Sequence, residues 1–261
     1  MSTGAINSYI DVAQIVLYAF WVFFFGLIYY LRREDKREGY PLESDWTERS
    51  PRMLAQGFPE MPAPKVFRLA NGKTVEAPRA WTETRELRAT PVGGWPGAPL
   101  VPTGDPMLDG VGPAAYAERA DVPDTTVEGL PRIVPLRVAE GFGIESRDPD
   151  PRGMDVIGAD GAVGGTVRDI WVDRAEMIIR YLEVEVSNAG GNRSVLLPMN
   201  CARVDGRRRR VNVASILGAQ FALAPGLGNA NQVTLLEEEK IVAYYAGGYL
   251  YATPARQEPL L

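Results

Sequence analysis

The sequence predicts a single N-terminal transmembrane α-helix followed by a mostly β domain, a small antiparallel barrel that ends in a short C-terminal helix. Three observations carry this reading. An apolar run interrupted only by Gln14 extends from Val12 to Leu31. Short β-branched stretches follow, separated by the turn pairs Asn71-Gly72, Asp160-Gly161 and Asp205-Gly206. Near the C-terminus, Thr234 and Glu237 in "TLLE" form the start signal of a helix.

In the apolar run, the only polar side chain without an aromatic ring is Gln14. Twenty helical residues reach about 30 Å, the thickness of a bilayer's hydrocarbon core. A cleaved export signal would open on Lys or Arg, use a shorter core and end in small residues. Residues 1–11 instead carry no basic side chain, whereas Arg32, Arg33, Lys36 and Arg37 crowd the other end. The positive-inside rule puts residues 1–11 on the periplasmic side and everything beyond residue 31 in the cytoplasm. Tyr29 and Tyr30 belong to the interfacial aromatic belt, beside Arg32 and Arg33 at the level of the lipid headgroups.

The net charge of −5 argues against nucleic acid as a partner. The one cysteine, Cys201, excludes an intramolecular disulfide and suits a reducing compartment. The sequence has no histidine, so a Ser-His-Asp triad, a zinc-His site and axial His ligation of haem are excluded within this chain. Proton chemistry near neutral pH falls to carboxylates and water.

Residues 32–104 are rich in Pro and Gly and read as an extended strap. Trp46, Phe58, Phe67, Trp81 and Trp95 make it too apolar for a free linker, so it should lie on another surface. Within it, "KVFRLANGKTVEAP" predicts a hairpin turning at Asn71-Gly72.

Residues 105–261 form the barrel-like domain. "PRIVPLRVA" is strand-like, and "DVIGADGAVGGTVRDIWVD" predicts two or three strands around turns at Asp160-Gly161 and Gly164-Gly165. "MIIRYLEVEV" alternates, with Leu182, Val184 and Val186 on one face and Glu183 and Glu185 on the other. A hairpin follows across Asp205-Gly206, then a short helix near "ASILGAQFA". The last helix runs from Thr234 towards Gly247-Gly248.

Two groups of residues invite a chemical reading. Asp169, Trp171 and Asp173 share one face of a strand, and Glu176 follows in the turn. Such acids either form a coupled cluster with raised pKa values or are solvated charges on a rim. Asp124 and Glu128, in "DVPDTTVEGLP", admit the same two readings. Arg207 to Arg210 fit a solvated strand end or a lipid-headgroup site.

Long strings of the chain resemble the H subunit of the purple-bacterial photosynthetic reaction centre. They run in order from "GLIYYL" and "REGYPLE" through "PTGDPMLDGVGPAAYAER", "IVPLRVA", "DPRG", "IWVD" and "RYLEVEV" to "VTLLEEEKIVAYYAGGYLYATP". The C-terminal part is similar to PRC-barrel domains. The resemblance implies a non-enzymatic subunit of a light-driven electron-transfer complex in the bacterial inner (intracytoplasmic) membrane. Its helix would lie beside the L and M subunits, and its domain would cap their cytoplasmic face. Light-harvesting ring polypeptides and membrane lipids would be neighbours. Bacteriochlorophyll, bacteriopheophytin, quinones and non-haem iron would sit in the partner subunits, with none held by this chain alone. The implied roles are assembly, shielding the quinone region from water and helping protons reach the secondary quinone. By motif, Asp173 and Glu176 match acids on the family's proton route. Relatives can carry histidines in the loop before "IVP", where this chain has Asp124 and Glu128. The rival reading is a membrane-anchored PRC-barrel adaptor unrelated to photochemistry.

Overall fold

A computed structural model describes residues 6, 11–38, 57–70, 72–78, 85–95, 97–188 and 191–257. Trp46, Asn71 and Trp81 lie outside the described residues. The chain forms two compact units, one of residues 1–85 with 94–97, the other of residues 86–93 with 98–261.

In the first unit, α1 spans Val12–Asp35, longer than the apolar run by one charged turn. It is long and apolar enough to cross a membrane. Asp11 caps it by accepting a hydrogen bond from the Gln14 amide at 2.7 Å. Arg32 and Arg33 in the last turn complement the helix dipole. Phe20, Trp21, Phe24 and Phe25 pack ring against ring on the helix surface and remain open to the surroundings.

The four cations after the apolar run divide into two pairs. Arg32 and Arg33 are exposed, whereas Lys36 and Arg37 are buried. Lys36 Nζ donates to the carbonyls of Gly57 (3.0 Å) and Pro59, and Arg37 Nη1 to those of Ala63 (2.7 Å) and Ala77 (3.0 Å). These bonds tie the end of α1 to both edges of a hairpin, β1 (Lys65–Arg68) and β2 (Thr74–Ala77). The hairpin turns where Asn71-Gly72 predicts, with Gly72 at φ +79°.

In the second unit, β3 (Ala89–Pro91) pairs with β4 (Leu100–Pro102), and a single helical turn, α2 (Pro106–Asp109), follows. The main sheet comprises β5 (Ile133–Pro135), β6 (Asp155–Ile157), β7 (Val163–Asp173), β8 (Ile178–Asn188), β9 (Gly191–Pro198), β10 (Ala202–Asp205) and β11 (Arg210–Val213). Its order is β10-β11-β6-β7-β8-β9, with β5 also on β7. All pairings are antiparallel except β11 with β6, which is parallel. The expected fold class holds, as one path of strands with no closed ring among the described residues. α3 (Leu235–Tyr251) begins at Thr234, whose hydroxyl accepts from the Glu237 amide while Glu237 accepts from the Thr234 amide. The core gathers the inward faces of β7, β8 and β9, including Trp171, Leu182, Val184 and Leu197, with Phe221, Ile241 and Tyr245 laid over them.

Several glycines differ from the turn expectation. Gly164-Gly165 lies inside β7, where a Cβ on Gly164 would sit 2.2 Å from the Phe221 ring. Gly247-Gly248 lies inside α3 rather than at its end, and a Cβ there would meet Ala114 at 2.6 Å or the Ser215 carbonyl at 2.5 Å. These positions are small because neighbouring elements press against them. The helix expected near "ASILGAQFA" is a 3-10 segment, Gly218–Leu223.

Candidate functional site

The site forms where β5 lies against the end of β7. The strands are antiparallel, with Ile133 opposite Asp173 and Pro135 opposite Trp171. Arg132 precedes β5 and Arg137 follows it; Asp173 and Asp169 stand on either side of Trp171. The antiparallel register therefore delivers one arginine to each aspartate.

At one end, Arg132 Nε donates to both carboxylate oxygens of Asp173, at 3.0 and 2.9 Å. Its Nη1 reaches Asp124 at 3.2 Å, and its Nη2 bonds Glu176. The Asp173 side chain is 1% exposed, against 42% for Asp124 and 51% for Glu176. The amides of Ala175 and Glu176 also donate to Asp173 Oδ1, at 2.9 and 3.0 Å. Burial alone would push the Asp173 carboxyl up, but Arg132 and these two amides outweigh it and hold it below the usual range. Asp124 is positioned by its loop, which closes through a bridge between Thr125 and Pro131 and is tied to the start of α3 between Pro123 and Thr234.

A cavity of about 390 Å³ opens over this group. Glu238 of α3 lines it and accepts a hydrogen bond from the Tyr181 hydroxyl at 2.8 Å. Burial pushes the Glu238 carboxyl above its ordinary range, although the Tyr181 bond works in the opposite direction. The cavity thus holds a buried fixed anion, two solvent-facing carboxylates and an acid whose pKa burial raises.

At the other end, Arg137 Nη1 donates to Asp169 (3.0 Å) and Glu183 (2.6 Å). Glu183 stands opposite Asp169 in the β7–β8 ladder and also accepts from Trp171 Nε1 at 3.0 Å. It is buried, on the face opposite Leu182, Val184 and Val186. Burial would raise its carboxyl, but Arg137 and Trp171 hold it low.

The structure therefore corrects one expectation. The acids at 169, 173 and 176 do not form one cluster, because two arginines divide them. Asp173 and Glu176 share Arg132, and Asp169 belongs to Arg137. Glu128 stands apart from both, exposed on the Asp124 loop. Tyr29, Tyr30, Arg32 and Arg33 are exposed at the end of α1.

Sequence reasoning missed Arg132, Arg137, Glu183 and Glu238. The spacing of "PRIVPLR" against "DIWVD" was the available signal, because two arginines flanking a short strand can match two aspartates on a neighbour. Among the described residues, no group of His, Cys, Asp and Glu is arranged to hold a metal ion.

Comparison with known families gives two matches. Residues 4–138 match the photosynthetic reaction centre H-chain N-terminal region, and residues 143–220 match the PRC-barrel domain. The first takes in α1, the strap and the Asp124 loop; the second takes in the sheet from β6 to β11. The chain belongs to the H-chain family of the photosynthetic reaction centre, with a PRC-barrel domain in its C-terminal part.

Proposed function

We propose that this chain caps the cytoplasmic face of the L and M subunits, shields the quinone region from water and helps deliver protons towards the secondary quinone. As an H chain it belongs to an electron-transfer complex and is membrane-anchored. In this reading the pigments, the quinones and the non-haem iron belong to L and M, and light-harvesting ring polypeptides lie around α1. The N-terminus is periplasmic, because Arg32 and Arg33 remain exposed at the opposite end of α1. The aromatic surface of α1 suits packing against other membrane helices. The adaptor reading is disfavoured by the match over residues 4–138, which lies outside the PRC-barrel region.

The observation that carries the proton role is the cavity over Arg132. A quinone bound in the partner subunits takes up protons with its electrons, and a cap that excludes water must supply polar routes. Glu176 and Asp124 are solvent-facing carboxylates able to exchange protons with the cytoplasm. Asp173 serves as a fixed anion, since its low pKa makes it a poor proton store. It holds Arg132, which in turn positions the two outer acids. Glu238 retains a proton more readily and lines the same cavity. Asp169 and Glu128 lie outside the Arg132 group and are assigned secondary parts, Asp169 with Glu183 and Glu128 at the surface of the loop.

The test is flash spectroscopy on the assembled complex. Glu176→Gln should slow transfer of the second electron to the secondary quinone and leave primary charge separation unchanged. Small weak acids should partly restore the rate. Unchanged second-electron kinetics between about pH 6 and about pH 9 in both Glu176→Gln and Glu238→Gln would overturn the proton role.

A further inference from the structure

The β10–β11 ribbon has one apolar and one polar face. Val204 and Val211 are paired in register and turn towards the core. On the opposite face Arg203 pairs with Asn212, and Asp205 with Arg210. These four residues line a cavity of about 880 Å³. The turn above it adds Arg207 and Arg208, and the loop beside it adds Arg147 and Asp148. That loop lies hard against the turn, since a Cβ on Gly206 would meet Pro149 at 2.6 Å.

The charges are unevenly matched. Asp205 lies 3.9 Å from Arg208 and accepts from the Arg208 amide. Arg147 makes a 3.5 Å pair with Glu145 and is almost fully exposed. Arg210 stands between Asp205 on one side and Asp155 on the parallel strand. Its Nε is nevertheless buried with no hydrogen-bond partner among the described residues. A buried guanidinium N–H without an acceptor is costly, and a small shift of the Arg210 side chain towards an entering oxyanion would supply one.

We propose that this pocket binds a phosphate-bearing anion. Several guanidinium groups around one polar floor can present paired N–H donors to phosphate oxygens. A second cavity, of about 390 Å³, shares Asp148, Pro149 and Val204 with the first and is lined beyond them by Ile178, Ile179 and Leu182. The phosphate can therefore arrive on a free anion or on a lipid whose chain enters the apolar cavity.

The test is isothermal titration of the full-length chain in a non-ionic detergent, with inorganic pyrophosphate and with dihexanoyl phosphatidic acid. Saturable binding should weaken about tenfold in Arg203→Gln and about tenfold in Arg207→Gln, and should weaken with added salt. Both side chains are exposed, so neither change should disturb folding. Arg88→Gln, which breaks the Arg88–Asp109 pair outside the pocket, should bind as the parent does. Tighter binding of the phosphatidic acid, lost in Met177→Asn at the lip of the apolar cavity, identifies a lipid as the source. Pyrophosphate binding at least as tight as that of phosphatidic acid identifies a free anion. Absence of saturable binding by both probes, or equal weakening in Arg88→Gln and the pocket variants, overturns the proposal.

Discussion

Arg132 grips Asp173 through a single nitrogen, Nε, at 3.0 and 2.9 Å from the two carboxylate oxygens. Its remaining nitrogens are thereby free to turn outward to Asp124 and Glu176. One buried anion thus sets the position of two exposed acids through a shared cation. Arg132→Met would leave Asp173 buried with only its backbone donors. The loss expected is about 2–4 kcal/mol, below that of a fully enclosed pair because Arg132 is partly exposed. Denaturant unfolding of the full-length chain measures it. A change within about 0.5 kcal/mol would show that the backbone amides alone satisfy Asp173.

Two acids should move stability in opposite directions with pH. The folded-state pKa of Asp173 is depressed, so its contribution is present above the unfolded value near 4 and is lost as pH falls through the folded value. Asp173→Asn should therefore be destabilising at neutral pH, with the deficit shrinking in acid. The folded-state pKa of Glu238 is raised, so its cost is absent below the unfolded value and grows as pH rises through the folded one. Glu238→Gln keeps an acceptor for the Tyr181 hydroxyl and should stabilise the chain at neutral pH. Paired unfolding curves in acid and at neutrality check both signs.

Gly164→Ala should destabilise the sheet by about 1–3 kcal/mol, since the new methyl would overlap the Phe221 ring. Phe221→Leu should recover part of that loss in the double variant. Additive losses in the two changes would mean that the contact does not set the cost.

Arg37→Met removes the side-chain donor shared by the carbonyls of Ala63 and Ala77, on either edge of the β1–β2 hairpin. Amide exchange in Lys65–Ala77 should accelerate by about tenfold or more, while β7 and β8 keep their protection. Unchanged exchange in the hairpin would indicate that it holds itself together without α1.

The parts legible in the sequence are those encoded by neighbours along the chain. The apolar run Val12–Leu31 specifies α1, Asn71-Gly72 the first hairpin, Asp205-Gly206 the last, and Thr234 with Glu237 the start of α3. What was hidden depends on residues far apart in sequence. Gly164 looks like a turn residue until Phe221 is placed over it. Asp169 and Asp173 look like one cluster until β5 brings a separate arginine to each. Strand alternation places Glu183 on one face but says nothing about the Arg137 and Trp171 side chains that bond it there.

The parallel pairing of β6 with β11 has a consequence for the order of folding. Val156 and Val211 become partners only after the whole β7–β8–β9 meander has been laid down between them. The meander's hairpin contacts are local and close early, whereas the β6–β11 seam has high contact order and closes late. During synthesis, β6 is a bare strand edge until β11 has left the ribosome, and that interval is when a nascent chain is most exposed to intermolecular strand pairing.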